Sequence, residues 1–452
     1  MIGARPRVSC PAAGISDRTA CDAGVFLPAP GDTMPYSQHS HTVHIDLDAI
    51  RGNYRRLCLA AAASGVARIV PAVLPPCPGA IGELGEEREL AWPDLIAVVK
   101  ADAYGHGHIP VARALLEEGA GIFASGCVGE AVGLRRGLMQ EADGDDGREG
   151  RLPGIIALLG IMNIEDVRIA AENGLIPLIH CFEQTALLEK ARLPLAVALK
   201  CNSGMNRLGF GEHELPELLR ALARMPHVRP VLALSHLASA DTEQGRQSVH
   251  GQATEFAVML QALRRVFPSL AASLGNTAGT LLSSEIEAVL GAHICRPGLG
   301  LYGVNPFAGT SLARLGDGLA PAMSVSAPIL SVRELRAGCG IGYGHTFRAD
   351  RNMRVGIMAA GYADMYPRFM SNHGQVCVKG ARAPVLGRVS MQMTAVDLEK
   401  CEGVQAGDEA WIMGGPYADT LAPEELAALW GSISYEVFCL LGQGRREYQG
   451  SF

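Results

Sequence analysis

Short apolar runs, each ending in a polar or small residue and followed by an amphipathic stretch, repeat through the first two thirds of the chain. The runs Leu95–Val99, Gly121–Ala124, Ile155–Leu159, Leu175–Ile179, Leu195–Leu199, Val231–Leu234, Ala271–Leu274 and His293–Cys295 predict strands buried on both faces. Helical periodicity falls between them, at Ile109–Glu118, Ile164–Glu172, Phe182–Lys190, Leu215–Arg224 and Ala253–Arg265. Alternating strand and helix implies a parallel sheet, and about eight repeats of the unit imply a closed (β/α)8 TIM-like barrel. Beyond Gly316 the pattern shifts to short alternating runs separated by Gly, Pro and Asp-Glu turns: Met323–Val332, Arg354–Met358, Gln375–Val378, Val385–Val389 and Glu409–Met413, with one helix at Pro423–Leu429. This predicts a second, mostly antiparallel β domain.

Ahead of the barrel, Val43–Leu47 alternates as a strand that can pair into the second domain. Asp48 offers an N-cap to a helix over Ala49–Ala62. Residues 1–40 are rich in Pro, Gly, Ser and Asp and predict a disordered extension, with Met34 as an alternative start that the intact mass of the native protein would decide. Residues 65–92 and the charged stretch Glu141–Arg151 read as surface insertions. The expected division is 1–40 extension, 41–316 barrel and 317–452 β domain.

A chain of 452 residues with 48% hydrophobic content can bury a large core, and a net charge of −7 argues against a nucleic-acid surface. The 12 cysteines are scattered singly with no C-x-x-C pair, as reduced thiols in a cytoplasmic protein would be. No apolar run approaches the roughly 18 residues of a membrane span. His39, His41 and His44 have the look of a ligand cluster but read as part of a polar tail, so no metal site is expected.

Chemistry gathers at the strand ends. Lys100, His180, Lys200, Ser235-His236, Asn276 and Arg296 each follow an apolar run directly. In a barrel that end is the catalytic face. A lysine there is partly desolvated, which lowers its pKa and frees a lone pair for attack on a carbonyl. The alternative for any one such lysine is that it marks a strand end and snorkels to water. Thr277 and Gly298, in the loops after the seventh and eighth runs, suit an anion: a hydroxyl donor, and a backbone that can approach closely.

The strings AVVKADAYGHG around Lys100, IDLDAIRGNYRRL, KCNSGMNRLGF from Lys200, SHLASAD around His236, NTAG from Asn276, RPGLGLYG from Arg296, GIGYGHTF, GYAD, GRVSMQM and ISYE together resemble the alanine racemases, over roughly residues 43–449. The resemblance implies pyridoxal 5'-phosphate as cofactor. Lys100 would carry it as a Schiff base. Tyr104, Asn276, Thr277, Gly298, Leu299 and Tyr435 would lie about its phosphate. Arg296 would face the pyridine nitrogen, with His236 supporting the arginine. Arg207 would hold the substrate carboxylate, backed by the Met205 amide, and Lys200 matches a lysine that many members carry carbamylated. Tyr343 would be the second base, entering from the partner subunit of a homodimer. Tyr362 and Met391 would narrow the entrance.

Interconversion of L- and D-alanine, which supplies D-alanine for peptidoglycan, is the activity this implies. A broader amino-acid racemase on the same fold is the alternative, because Met365 and Gln392 stand where the family motifs carry Gly and Asp. A non-catalytic pyridoxal-phosphate-binding protein would have the barrel and Lys100 but neither the β domain nor Tyr343.

Overall fold

A computed structural model describes residues 39–62, 72–74, 88–90, 95–139, 152–242 and 245–450, with the backbone alone at 72–74 and 88–90. The expected extension up to residue 38 and the insertion at 141–151 lie outside them. So does most of the insertion at 65–92, apart from an antiparallel pair of Ala72–Leu74 with Arg88–Leu90.

Seven parallel strands form the first sheet in strict chain order: Ala97–Val98, Ile122–Ser125, Gly154–Ala157, Leu175–Ile179, Leu195–Lys200, Val228–Leu234 and Ala271–Ser273. Nearly every side chain in these strands is buried, which is why the runs read as continuously apolar rather than alternating. The eighth run never becomes a full strand. Ile294 N–H donates to the Ala272 carbonyl at 2.8 Å on one side. On the other, Leu95 bridges Cys295 in parallel, with Ile96 N–H on the Cys295 carbonyl at 2.8 Å and Val98 N–H on the Pro297 carbonyl at 3.1 Å. These few bonds close the barrel and leave Arg296 at its rim.

The second sheet has eight strands in the order Met353–Met358, Thr394–Asp397, Ala381–Leu386, Gln375–Val378, Glu409–Met413, Met323–Leu335, Thr42–Asp46 and Arg445–Gln449. The 13-residue Met323–Leu335 strand pairs at one end with Thr42–Ile45 and Glu409–Met413, and at the other with Met353–Met358. The first six strands therefore close on themselves. Closure removes edges that would otherwise recruit other strands. Thr42–Asp46 pairs antiparallel with Met323–Ser326 and parallel with Arg445–Gln449. Both ends of the described chain thus belong to the second sheet, although the chain between them builds the first.

Two expectations are corrected at the amino end. The helix is Leu47–Ala62, and its cap is Asp46, whose Oδ1 accepts from Ala49 N–H at 2.9 Å; Asp48 instead pairs with Arg51 at 2.8 Å. The strand runs to Asp46, so the helix must start at once and the first side-chain acceptor available takes the orphan amide. His41 and His44 are not in a polar tail. His41 is fully buried, and His44 sits within a strand with Nε2 3.0 Å from Ser326 Oγ. A single hydrophobic cluster runs through both sheets, with a smaller one of Ala349, Met353, Val355 and Leu386 at the far end of the β domain. Among the described residues, no helix is long and apolar enough to cross a membrane.

Candidate active site

The segment after Val99 turns the wrong way. Ala101, Asp102, Ala103 and Tyr104 all have φ between 52° and 54°, one turn of left-handed helix without a glycine in it. Each L-residue there costs about 1–2 kcal/mol, so the turn persists only because its surroundings over-determine it. Ala103 N–H reaches the Val99 carbonyl at 2.9 Å, Gly105 N–H the Ala101 carbonyl at 3.0 Å and Gly107 N–H the Asp102 carbonyl at 2.9 Å. Glu130 Oε1 accepts from Asp102 N–H at 2.8 Å, while its Oε2 accepts from Ser125 Oγ and Gly126 N–H. Asp102 is clamped on both oxygens, by His108 Nδ1 at 2.6 Å and by Arg446 Nη2 at 2.6 Å. Burial alone would raise the Asp102 carboxyl, but the His108 and Arg446 contacts outweigh it and hold the group well below the usual carboxylate range. Glycine is required immediately after the turn, since a Cβ on Gly105 would strike the Phe438 carbonyl. The sequence predicts a turn here and carries no signal of its hand.

This turn sets Lys100 at the solvent-open mouth and Tyr104 beneath it, buried. Lys100 is held below its ordinary value by desolvation, then by Arg207 and Arg296; Cys439 and Glu130 pull weakly the other way. The Tyr104 ring stacks at 4.9 Å from Tyr302 and 5.6 Å from Tyr435, and burial pushes its hydroxyl up. A Cβ on Gly298 would lie 2.5 Å from the Tyr104 hydroxyl, so only glycine admits that approach. Thr277 Oγ1 accepts from both Gly298 N–H and Gly300 N–H at 3.1 Å, leaving its own hydrogen to donate. The Leu299 amide between them takes part in neither bond. Asn276 caps the helix Thr277–Leu281 by accepting from Gly279 N–H at 3.0 Å. Its side chain is therefore committed to its own helix. Tyr435, at the start of the helix Ser434–Leu441, is pushed up to about 12 by burial.

Arg296 is buried with three neutral partners. Nη1 donates to Ser273 Oγ at 2.6 Å, and Nη2 donates to the Ser235 carbonyl at 2.7 Å and lies 3.2 Å from His236 Nδ1. Burial lowers it to about 10, still far above neutrality, so the guanidinium stays charged. His236 is driven well below its ordinary value by burial and then by Arg296, Lys200, Arg207 and Lys100. Its neutral ring accepts from Arg296 through Nδ1. Lys200, at the end of its strand, is pushed down to about 7 by burial and by Arg296, with Arg207 adding to it; no carboxylate offsets them. Asn202 Oδ1 accepts from Asn206 N–H at 2.9 Å, folding residues 202–206 into a side-chain-closed turn. Ser203 Oγ is 2.8 Å from Ser235 Oγ underneath. This turn carries Arg207, exposed.

Lys100, Lys200, Arg207, Arg296, His236, Tyr104 and Tyr435 thus influence one another across one mouth that is strongly cationic, with the Thr277–Gly298 cup beside it. Such a site attracts anions and lowers the pKa of its amines. Glu130, Ser273, Cys439 and Arg446 belong to the same network and were not singled out from the sequence. Ser273 closes its strand and Glu130 lies in the first turn of the helix Val128–Met139, but Arg446 lies in a polar C-terminal strand with nothing to mark it. His180 stands apart: its ring lies 3.0 Å from Gln184 Nε2 and 3.3 Å from the Leu159 carbonyl, serving its own strand-to-helix loop.

Tyr343, Tyr362 and Met391 are not part of this cluster in the single chain. They sit on loops of the β domain, with Tyr343 70%, Met391 57% and Tyr362 42% exposed. Hydrogen bonds stitch these loops together: Tyr362 N–H to the Ser390 carbonyl, Ala363 N–H to the Met391 carbonyl, and Asn372 Nδ2 to Thr346 Oγ1.

The fold and mouth define a barrel protein built to hold an anionic ligand beside a deprotonatable amine. Residues 87–306 match the family model "Alanine racemase, N-terminal domain", and residues 322–448 match "Alanine racemase, C-terminal domain". The alanine racemase of Nitratidesulfovibrio vulgaris strain Miyazaki F is 45% identical over 361 residues, 79% of this chain and 92% of that one. Among solved structures, the biosynthetic alanine racemase of Pseudomonas aeruginosa superposes with a TM-score of 0.70 at 32% identity, covering 91% of this chain and all of the other. That of Bartonella henselae, solved with covalently bound pyridoxal phosphate, gives 0.69 at 25% identity over 92% of this chain and all of that one. The chain belongs to the alanine racemase family.

Proposed function

We propose that this chain interconverts L- and D-alanine with pyridoxal 5'-phosphate at the barrel mouth, in a homodimer whose two sites each draw on both copies. The observation that carries the reading is the pairing of a depressed Lys100 amine with Arg296, a buried cation whose partners are all neutral. The residues fit the cofactor. The Gly298–Tyr104 approach and the Thr277 hydroxyl make a cup for a phosphate, with Leu299, Asn276 and Tyr435 around it, and Arg296 has no competing carboxylate to neutralise it. When bound through Lys100, the cofactor supplies the electron-withdrawing ring that acidifies the substrate's α-hydrogen.

The protein's share is orientation and proton movement. Arg207 holds the substrate carboxylate from the exposed turn. Arg296 keeps its proton and so would meet a ring nitrogen as donor only; neutral His236 and Ser273 fix the orientation of the guanidinium. Lys100 Nζ takes or returns the α-proton on one face, from the D enantiomer. Tyr343 Oη does so on the other, from the L enantiomer. The stitched loops that carry Tyr343, Tyr362, Phe369, Met391 and Met393 present large exposed side chains, which suits a face covered by a second copy. Tyr362 and Met391 then limit the entrance to small side chains. The neutral fraction of Lys200, an amine pushed down to about 7, adds carbon dioxide with loss of a proton; the resulting carbamate partly balances Arg296 and Arg207. The described cysteines are all free, which fits a cytoplasmic enzyme feeding peptidoglycan synthesis.

The test is complementation. Lys100→Ala should lose the visible absorbance of lysine-bound pyridoxal phosphate, and Tyr343→Phe should keep it; each alone should lose about 99% or more of its turnover, roughly the 10²-fold a general base contributes. Mixing the two, with subunit exchange, should restore activity in the hybrid that retains one intact site. Absorbance retained by Lys100→Ala would overturn the cofactor assignment, and failure of the mixture to recover would overturn the shared site.

A further inference from the structure

Outside the barrel mouth, one group of side chains is assembled without a role in the chemistry above. His39, His41 and Asp364 each offer a donor atom, and the three atoms lie within 4.8 Å of one another. They come from distant parts of the chain: the two histidines precede the Thr42–Asp46 strand, and Asp364 closes the short turn Tyr362–Asp364.

Asp364 is completely buried. Its Oδ1 accepts from Ser40 N–H at 2.9 Å and its Oδ2 from Gly361 N–H at 3.1 Å, so both oxygens are oriented and each keeps a lone pair. His39 Nδ1 is 3.9 Å from Asp364 Oδ1. His41 is also completely buried, with Nε2 2.8 Å from the Leu441 carbonyl. A carbonyl only accepts, so Nε2 carries the hydrogen and Nδ1 carries the lone pair. That Nδ1 is buried and has no hydrogen-bond partner. A simple His39–Asp364 ion pair would explain two of the three groups and leave this nitrogen desolvated and unused, which is costly for a buried acceptor.

We infer that His39, His41 and Asp364 form a binding site for a divalent transition-metal ion of the zinc type. Two imidazoles and a carboxylate suit such an ion, with water completing a four-coordinate shell. The second contacts are those a ligand set needs: the Leu441 carbonyl fixes the His41 tautomer, and backbone amides fix the carboxylate. Metal–ligand bonds of about 2.0–2.1 Å place donor atoms roughly 3.4 Å apart in a tetrahedron, so the present spacing is expanded and binding would draw the three donors together. The ion would tie the segment ahead of the first strand to the turn that carries Tyr362, and through His41 to the end of the Ser434–Leu441 helix. It is a structural clasp, and it does not depend on the proposed reaction. The sequence pattern pointed to a polar tail here because neither the burial of His41 nor Asp364, over 300 positions away, is visible locally.

The full-length chain, stripped with a chelator and desalted, is titrated with Co2+ and then with Zn2+. One equivalent of Co2+ should bind with visible d–d absorption, without the near-ultraviolet charge-transfer band of a thiolate ligand, and Zn2+ should displace it. His39→Gln and His41→Gln should each weaken binding by more than the roughly 10–100-fold that loss of an outer-shell partner brings. His39→Gln changes a half-buried side chain, so it is the variant that tests the site should His41→Gln fail to fold by circular dichroism. No binding by the unaltered chain, a thiolate band, or unchanged affinity in a folded His39→Gln would each overturn the assignment.

Discussion

The barrel mouth and the loop face of the β domain differ in how much of their own environment they contain. At the mouth, the anchoring groups have their partners supplied by the same chain: Arg296 by Ser273, Ser235 and His236, Asp102 by His108 and Arg446, and the Thr277 hydroxyl by two backbone amides. On the loop face, Tyr343, Phe369 and Met391 are each more than half exposed, and the fixed part is the backbone beneath them. One region is complete and electrostatically tense; the other is a scaffolded surface awaiting contact. A site split in this way can be loaded with cofactor by one chain and yet need a second for turnover.

Breaking the incomplete half should produce the largest effect. Tyr343→Phe should lower turnover by about 10²–10⁴-fold, the usual range for a general base, while the cofactor dissociation constant stays as it was; parallel loss of cofactor affinity would erase the distinction between the regions. Breaking the complete half at its anion cup should cost less. Thr277→Val removes a donor to a charged group, worth about 1.5–3 kcal/mol, so pyridoxal phosphate should bind roughly 10–100-fold more weakly by equilibrium titration. Equal binding would remove Thr277 from the phosphate site.

The tension of the mouth has a pH signature. Lys200 falls from 10.5 to about 7 on folding, and Lys100 falls in the same direction. Between about pH 7 and 9 these two amines therefore bind more protons in the unfolded chain than in the folded one, and their contribution to stability rises with pH; above that range the raised thiols of Cys201 and Cys401 act in the opposite sense. In buffer free of carbon dioxide, denaturant melts of the cofactor-free chain should show this rise. Lys200→Met should flatten it and should be the more stable variant near pH 6. A steeper slope in the variant would reverse the argument.

The smallest change sharpens the β-domain side. Met365 holds φ at 63°, a left-handed conformation, where the resembling motif GYADG has glycine. Met365→Gly should relieve about 1 kcal/mol of backbone strain, less what the partly buried side chain gives up in packing, measured as a small shift in the unfolding midpoint with turnover retained.

Much of the fold was legible because strand burial and helix periodicity are local. Leu175–Ile179, Ile164–Glu172, Gln375–Val378 and Glu409–Met413 run as the pattern predicts. The helices Val128–Met139 and Ser434–Leu441 and the strands Thr394–Asp397 and Arg445–Gln449 were missed. The last is a polar strand, held by pairing with Thr42–Asp46 rather than by burial. Asp48 lost the cap to Asp46 because the strand before it ends at Asp46, one residue earlier than alternation indicated, and the helix begins at Leu47. Among site residues, those at strand ends announced themselves; Arg446 and Cys439 act through elements far along the chain.

From the sequence alone came the repeated strand–helix unit, the break near residue 316, and the residue types at the strand ends, since each depends on neighbours a few positions away. Only the tertiary structure decided the hand of the turn after Lys100, the depression of Lys100 and Lys200, and the meeting of His39 and His41 with Asp364. Those depend on dielectric and on charges brought within a few ångströms by folding, and separation along a chain does not encode distance in space.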